Sequence, residues 1–169
     1  MLWGIAIADT RVAGYEKAQV EIRQVQLSCR VNGKDVVMNY DAGAIHGGLY
    51  RRIPWFGTDA YDPMPLTYST DHSAVVLRVG DRPDRVWHFW AASPRKTIPA
   101  GDLQGCTVHV QTRISRGALL HVGFDYWRDA TVGYGAGGNN HEAGASKWYL
   151  PSDDWQEAVI SDVSRSSTH

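Results

Sequence analysis

The chain has 169 residues, of which 43% are hydrophobic and 11% aromatic, and its 17 Lys and Arg nearly balance its 18 Asp and Glu. This length suits one domain with a sizeable core, and the balanced charge argues against a nucleic-acid partner. No apolar stretch approaches the roughly 18 residues that span a bilayer. The apolar N-terminus also lacks the basic segment of a secretory signal, so we expect no membrane partner and a soluble protein.

The sequence predicts a single domain over residues 1–169, with a core at about 17–160 and a polar tail at 161–169. We find no repeat, no low-complexity linker and no change in composition that would mark a second domain. The sequence does not indicate an oligomeric state.

Residues 15–31 fit two kinds of secondary structure. Their apolar residues recur at helical spacings of three and four. In a strand, they alternate up to Ile22 and again from Val25, after a one-residue phase change that a β-bulge would supply. The dipeptide Asn32-Gly33 is a strong hairpin signal, and residues 36–38 are again apolar. The strand is therefore favoured.

Residues 40–70 predict a long loop, because glycines and prolines interrupt them throughout while five aromatic residues remain between positions 50 and 68. Alternating apolar residues then predict strands at 74–79 and 85–90. Cys29 and Cys106 lie in apolar runs and are interpreted as buried thiols. A disulfide would need neighbouring Cα atoms, which a sequence does not show.

The clearest predicted element is a hairpin over residues 106–127. A three-residue loop at 115–117 pairs Val110 with Val122 and places apolar side chains beside apolar ones, whereas a two-residue turn pairs unlike residues. Gly117 suits the left-handed position of such a loop. The opposite face of this hairpin would be polar and would bring residues of both strands together.

A glycine-rich loop follows, and residues 146–150 and 155–160 read as two short closing strands. Short strands separated by Gly and Pro turns predict an all-β fold, an antiparallel β-sandwich of jelly-roll type with at most one short helix.

Several motifs in the chain are weak. Gly133, Gly135 and Gly138 match GxGxxG, but the motif binds dinucleotides only where it opens a helix inside a βαβ unit, and no such unit follows. His109, His121 and Asp125 lie on one face of the predicted hairpin, where they could contact a metal, although hydrogen-bonding histidines are the default reading. No cofactor is otherwise expected.

A structural calcium ion is the one bound metal that the loops suggest. Calcium takes several oxygen ligands, including loop carbonyls. Asp59 and Asp62 lie close together in a loop constrained by prolines and are the local candidates for such a site.

Aromatic residues beside polar ones are the strongest functional signal. Sugar rings stack their C–H faces on aromatic side chains, while amide, carboxylate and guanidinium groups bond their hydroxyls. The polar hairpin face and the glycine-rich loop offer this mixture. The predicted ligand-binding residues are Gln111, Arg113, His121, Asp125, Trp127, Arg128, Tyr134, Asn139 and Asn140.

The strand layout and aromatic placement of RVWHFW, GCTVHVQTRIS, ALLHVGFDYWR and WQEAV resemble carbohydrate-binding modules of the galactose-binding-like, jelly-roll type. No diagnostic motif of that group carries over, so the resemblance assigns no site residue. It implies a non-catalytic domain that binds a saccharide or another small polar ligand. The alternatives are a small enzyme that acts on a saccharide at the same face, and a structural or oligomerisation module.

Overall fold

A computed structural model describes residues 2–48, 67–84, 87–91, 103–127 and 141–162. The described residues form ten strands: β1 (Leu2–Ala8), β2 (Val20–Val31), β3 (Lys34–Asp41), β4 (Thr67–Tyr68), β5 (Val75–Leu77), β6 (Trp87–Ala91), β7 (Leu103–Ile114), β8 (Ala118–Trp127), β9 (His141–Tyr149) and β10 (Ser152–Asp162). One short helix, α1 (Ala42–Gly48), and 3-10 turns at Tyr15–Lys17 and Val79–Asp81 complete these parts of the chain.

The strands form two antiparallel sheets packed face to face. Sheet A has the order β6-β1-β8-β9, and sheet B has the order β10-β7-β2-β5-β4, with β3 also paired to β2. Buried residues of both sheets, among them Leu120 and Val122 of sheet A and Val108 and Val110 of sheet B, form one core. The predicted all-β antiparallel sandwich is confirmed, whereas the jelly-roll assignment stays a prediction.

β2 takes the strand form that its apolar pattern favoured. Its pairing with β7 shifts register between Ile22 and Gln24, which is the bulge that the phase change indicated. The Asn32-Gly33 turn has positive φ at both residues, 51° and 74°, as a tight hairpin requires. β3 then returns along β2.

The predicted hairpin between β7 and β8 is wrong. β7 pairs with β2 and β10 in sheet B, whereas β8 pairs with β1 and β9 in sheet A. The 115–117 segment is instead a corner that carries the chain from one sheet to the other. Ser115 Oγ accepts the Gln19 N–H at 2.7 Å, and the Asp9 N–H donates to the Gly117 carbonyl at 2.8 Å. Val110 and Val122 are both buried, but they lie in different sheets and are not paired.

The two cysteines form a disulfide instead of the expected buried thiols. Cys29 of β2 and Cys106 of β7 are direct partners across adjacent strands, with Cα atoms 4.1 Å apart. The bond therefore joins the two longest neighbouring strands of sheet B within the core.

Two further elements differ from the sequence prediction. β1 is a central strand of sheet A, although the predicted core began near residue 17. α1 lies in the predicted 40–70 loop: the Asp41 carboxylate accepts the Ala44 N–H at 2.8 Å and caps the helix, and buried Ile45 anchors it to the core.

Candidate functional site

The sandwich separates the residues that the sequence analysis placed on one face. Gln111 and Arg113 lie on the outer face of sheet B, because their neighbours Val110, Thr112 and Ile114 point into the core. His121 lies on the outer face of sheet A, between buried Leu120 and Val122. Both sheets and the core therefore stand between His121 and the other two residues. The prediction of one shared surface is wrong, because β7 and β8 belong to different sheets.

Arg113 and Gln111 contact other side chains of sheet B. The Arg113 guanidinium donates to the Glu21 carboxylate at 2.7 Å, and only 8% of that carboxyl side chain is exposed. Gln111 Oε1 accepts the Arg23 Nε–H at 2.7 Å. Trp155 contacts both guanidiniums, with its ring centroid 4.5 Å from Arg23 Cζ and 5.0 Å from Arg113 Cζ. These polar groups already have intramolecular partners, and their role toward a ligand stays a prediction.

On sheet A, His121 stacks on a tryptophan that the predicted set did not include. The rings of His121 and Trp148 are parallel within 9°, with centroids 4.5 Å apart. The two residues are direct partners in the pairing of β8 with β9. Trp148 remains 49% exposed, so His121 leaves much of the indole open to solvent. The alternation of β9 explains this orientation, because the next residue, Tyr149, points into the core and burial raises its pKa to about 12.

The His121–Trp148 stack lies in a row that crosses all four strands of sheet A. Ile5 of β1 is the register partner of His121 on one side, and His88 of β6 is the partner of Ile5. Partial burial lowers the pKa of His121 below its ordinary value of 6.5. The imidazole is therefore neutral at pH 7, and a neutral ring stacks on the indole. An exposed aromatic ring on an otherwise packed sheet face can bind a flat apolar surface.

Asp125 and Trp127 lie farther along β8. The pairing of β8 with β9 shifts register between Phe124 and Tyr126, and Trp127 is the partner of His141. Trp127 lies six positions after His121, a distance of about 20 Å along a strand. The structure therefore places these residues on the same strand without bringing them to one point.

Other predicted site residues fall outside the described parts of the chain. Arg128, Tyr134, Asn139 and Asn140, which belong to the glycine-rich loop, and the calcium candidates Asp59 and Asp62 are among them. The binding roles of these six residues stay predictions.

The three-residue metal hypothesis does not fit the sheet topology. His109 lies on the outer face of sheet B, where its Nδ1 is 3.1 Å from a Glu157 carboxylate oxygen, whereas His121 lies on sheet A. Among the residues that the structure describes, no three His, Cys, Asp or Glu side chains come together as a metal site.

In the described parts of the chain, no helix has the length and apolar character needed to cross a membrane.

Comparison with known proteins finds no matching family, no matching characterised protein and no matching solved structure.

Proposed function

We propose that the protein is a non-catalytic domain that binds saccharides on the outer face of sheet A, at the His121–Trp148 stack. One observation carries the proposal: Trp148 is half-exposed on a sheet face and is held by a parallel ring. Hydration of an exposed indole is unfavourable, and an exposed side chain adds little to the stability of the fold. Contact with a ligand would explain why a tryptophan occupies this exposed position.

The stack supplies a preorganised surface for a sugar ring. His121 fixes the indole from one side, so little side-chain entropy remains to be lost when a ligand arrives. The C–H face of a pyranose then stacks on the part of the indole that His121 leaves open. Asp125 and Trp127 lie farther along β8, and with Arg128, Tyr134, Asn139 and Asn140, which follow in the sequence, they stay the predicted contacts for further sugar units.

Affinity at such a site is modest. A shallow surface buries little apolar area, and sugar hydroxyls lose water when they bind, so a dissociation constant on the order of micromolar to millimolar is expected. Selectivity would come from the polar groups around the stack more than from the stack itself, because any pyranose presents a C–H face.

A glycan array followed by calorimetry with the best neutral saccharide tests the proposal. Trp148→Ala should weaken binding at least tenfold and leave the melting temperature nearly unchanged, because the side chain is half-exposed. The matched control is Tyr68→Ala, which removes another exposed aromatic ring, from β4 in sheet B. The proposal fails if no saccharide binds, or if the two variants bind equally well.

A further inference from the structure

Sheet B contains an open cavity, lined mainly by residues with polar groups, at the point where β2 changes its partner. β2 pairs with β5 through Ile22 and with β3 from Gln24 onward, so a gap opens at the bulge between the two neighbours. The cavity has a volume of about 320 Å³, enough for a small organic molecule. Its described lining residues are Arg23, Gln24, Asn39, Tyr40, Asp41, Ala44 and Ser73.

The bulge gives Arg23 its orientation. Because Arg23 is the extra residue of β2 at the register shift, it leaves the alternation of the strand, which is a common way to re-aim a side chain. Its Nε–H donates to Gln111 and its guanidinium lies over Trp155. Two strands, β7 and β10, therefore hold the guanidinium from outside the cavity.

Arg23 has no carboxylate partner among the described residues, unlike Arg113, which pairs with Glu21. Within the described parts of the chain its one hydrogen bond uses Nε, so the terminal N–H groups are available for a ligand. A guanidinium binds a carboxylate through two parallel hydrogen bonds, and a guanidinium already fixed in place loses less entropy on doing so.

The remaining polar groups suit hydroxyls. Asn39 uses its side-chain oxygen to accept from Gln26 at 2.9 Å, which leaves its N–H₂ as a donor. Asp41 uses one carboxylate oxygen to cap α1, which leaves the other as an acceptor. Ser73 lies on a turn that the Asp71 carboxylate stabilises. This carboxylate accepts hydrogen bonds from Ser69 and Ser73, which keep the pKa of Asp71 far below its ordinary value.

We propose that this cavity binds a small hydroxylated carboxylate, the chemical class of the sugar acids. The Arg23 guanidinium takes the carboxylate, and Asn39, Gln24 and Asp41 take hydroxyls. The negative charge of Asp41 repels the ligand's carboxylate, so the ligand enters with its acid group at the Arg23 end. The site lies on sheet B and is independent of the stack on sheet A.

The probes are D-glucuronate and D-glucose, which differ in whether C6 carries a carboxylate or a hydroxyl. Calorimetry should show D-glucuronate binding at least tenfold more tightly than D-glucose, with an affinity that falls as salt is added. Arg23→Gln should weaken D-glucuronate binding at least tenfold. Arg30→Gln, the same change of charge on the exposed face of β2, should leave it within twofold.

Equal binding of the two probes, no binding of D-glucuronate, or equal effects of the two arginine variants would overturn the proposal. If Arg23→Gln does not fold, Asn39→Asp adds a negative charge at nearly constant size. It should then weaken D-glucuronate binding at least fivefold more than D-glucose binding, because only D-glucuronate carries a charge that the new carboxylate repels, and equal effects on the two probes would contradict the site. Trp148→Ala should leave D-glucuronate binding unchanged, which separates this proposal from the proposed function.

Discussion

Arg113 of β7 forms an ion pair with Glu21 of β2 in sheet B. The Glu21 carboxylate is nearly buried and receives hydrogen bonds from Arg113 at 2.7 Å and from Gln19 at 2.8 Å. A buried carboxylate needs such partners, because desolvation of an unpaired charge is costly. The arginine thus stabilises the fold at a position where alternation alone suggested an open polar face.

Arg113→Ala should therefore lower the free energy of unfolding by about 1.5–3 kcal/mol, the contribution of hydrogen bonds to charged groups. Arg23→Ala, which leaves no carboxylate unpaired among the described residues, should cost less than about 1 kcal/mol. Urea titration of both variants measures the difference. Equal losses would show that the Glu21 ion pair does not contribute as described.

His121 gives the stability a dependence on pH. Burial lowers its pKa in the folded state below the unfolded value of 6.5, so the unfolded chain binds a proton more readily. The stabilising contribution of the neutral imidazole is complete above pH 6.5 and is lost as the pH falls from there toward the folded-state pKa.

Urea titrations at pH 7.5 and pH 5 should show this loss, and His121→Gln should reduce it. The control is His72→Gln, at an exposed histidine in the 69–74 turn. A loss between the two pH values that is the same for the wild type and the His121 variant would contradict the assignment.

Among the elements, β2 was predictable and the β7–β8 pairing was not. The phase change in β2 can be identified from the residues of β2 alone, because the apolar side chains switch faces between Ile22 and Val25. The strands β7 and β8 also alternate correctly, and their core faces were predicted. A tight hairpin and a corner between sheets have the same local pattern, however, and the choice depends on distant partners such as β1 and β10.

The sequence analysis did not predict β1 or α1, for a different physical reason in each case. β1 turns Gly4 and Ala6 toward the core, beside their register partners Val122 and Leu120 of β8, and such small residues leave a weak apolar alternation in the sequence. α1 contains three glycines and is short. Its stability comes from the Asp41 cap and from packing of Ile45, which are tertiary and capping effects rather than helix propensity.

The disulfide in sheet B is expected to increase the free energy of unfolding. It closes a loop of 77 residues between β2 and β7, and in the chain-entropy description a loop of this length stabilises the fold by about 4.5 kcal/mol. The double variant Cys29→Ala and Cys106→Ala should unfold at lower urea, with a loss of about 2–4 kcal/mol. Added reductant should destabilise the wild type and leave the double variant unchanged.

Thiol titration of the unfolded, unreduced protein provides an independent check. It should find no free thiol, because both cysteines of the chain are in the disulfide. Two reactive thiols per chain would contradict the bond and restore the interpretation of two buried thiols.

The molecule as a whole presents two different outer faces. In sheet A, the described outer residues around the stack are largely apolar or aromatic, such as Ile5, Leu119 and Trp148. In sheet B they are largely polar and bond to one another, as His109 does with Glu157 and Gln26 with Asn39. The sequence indicated a sandwich with aromatic and polar recognition groups. The prediction placed these groups on one face, because the sequence does not show which strands pair.

The most direct test of the proposed function is a ¹H–¹⁵N NMR titration with the neutral saccharide that binds best on the array. We expect the signals of the Trp148 indole N–H and of the His121 and Lys147 amides to shift, while the amides of Gln26, Thr107 and Arg113 on sheet B do not. Shifts that are largest on sheet B, or an unchanged Trp148 indole signal at saturation, would contradict saccharide binding at the His121–Trp148 stack.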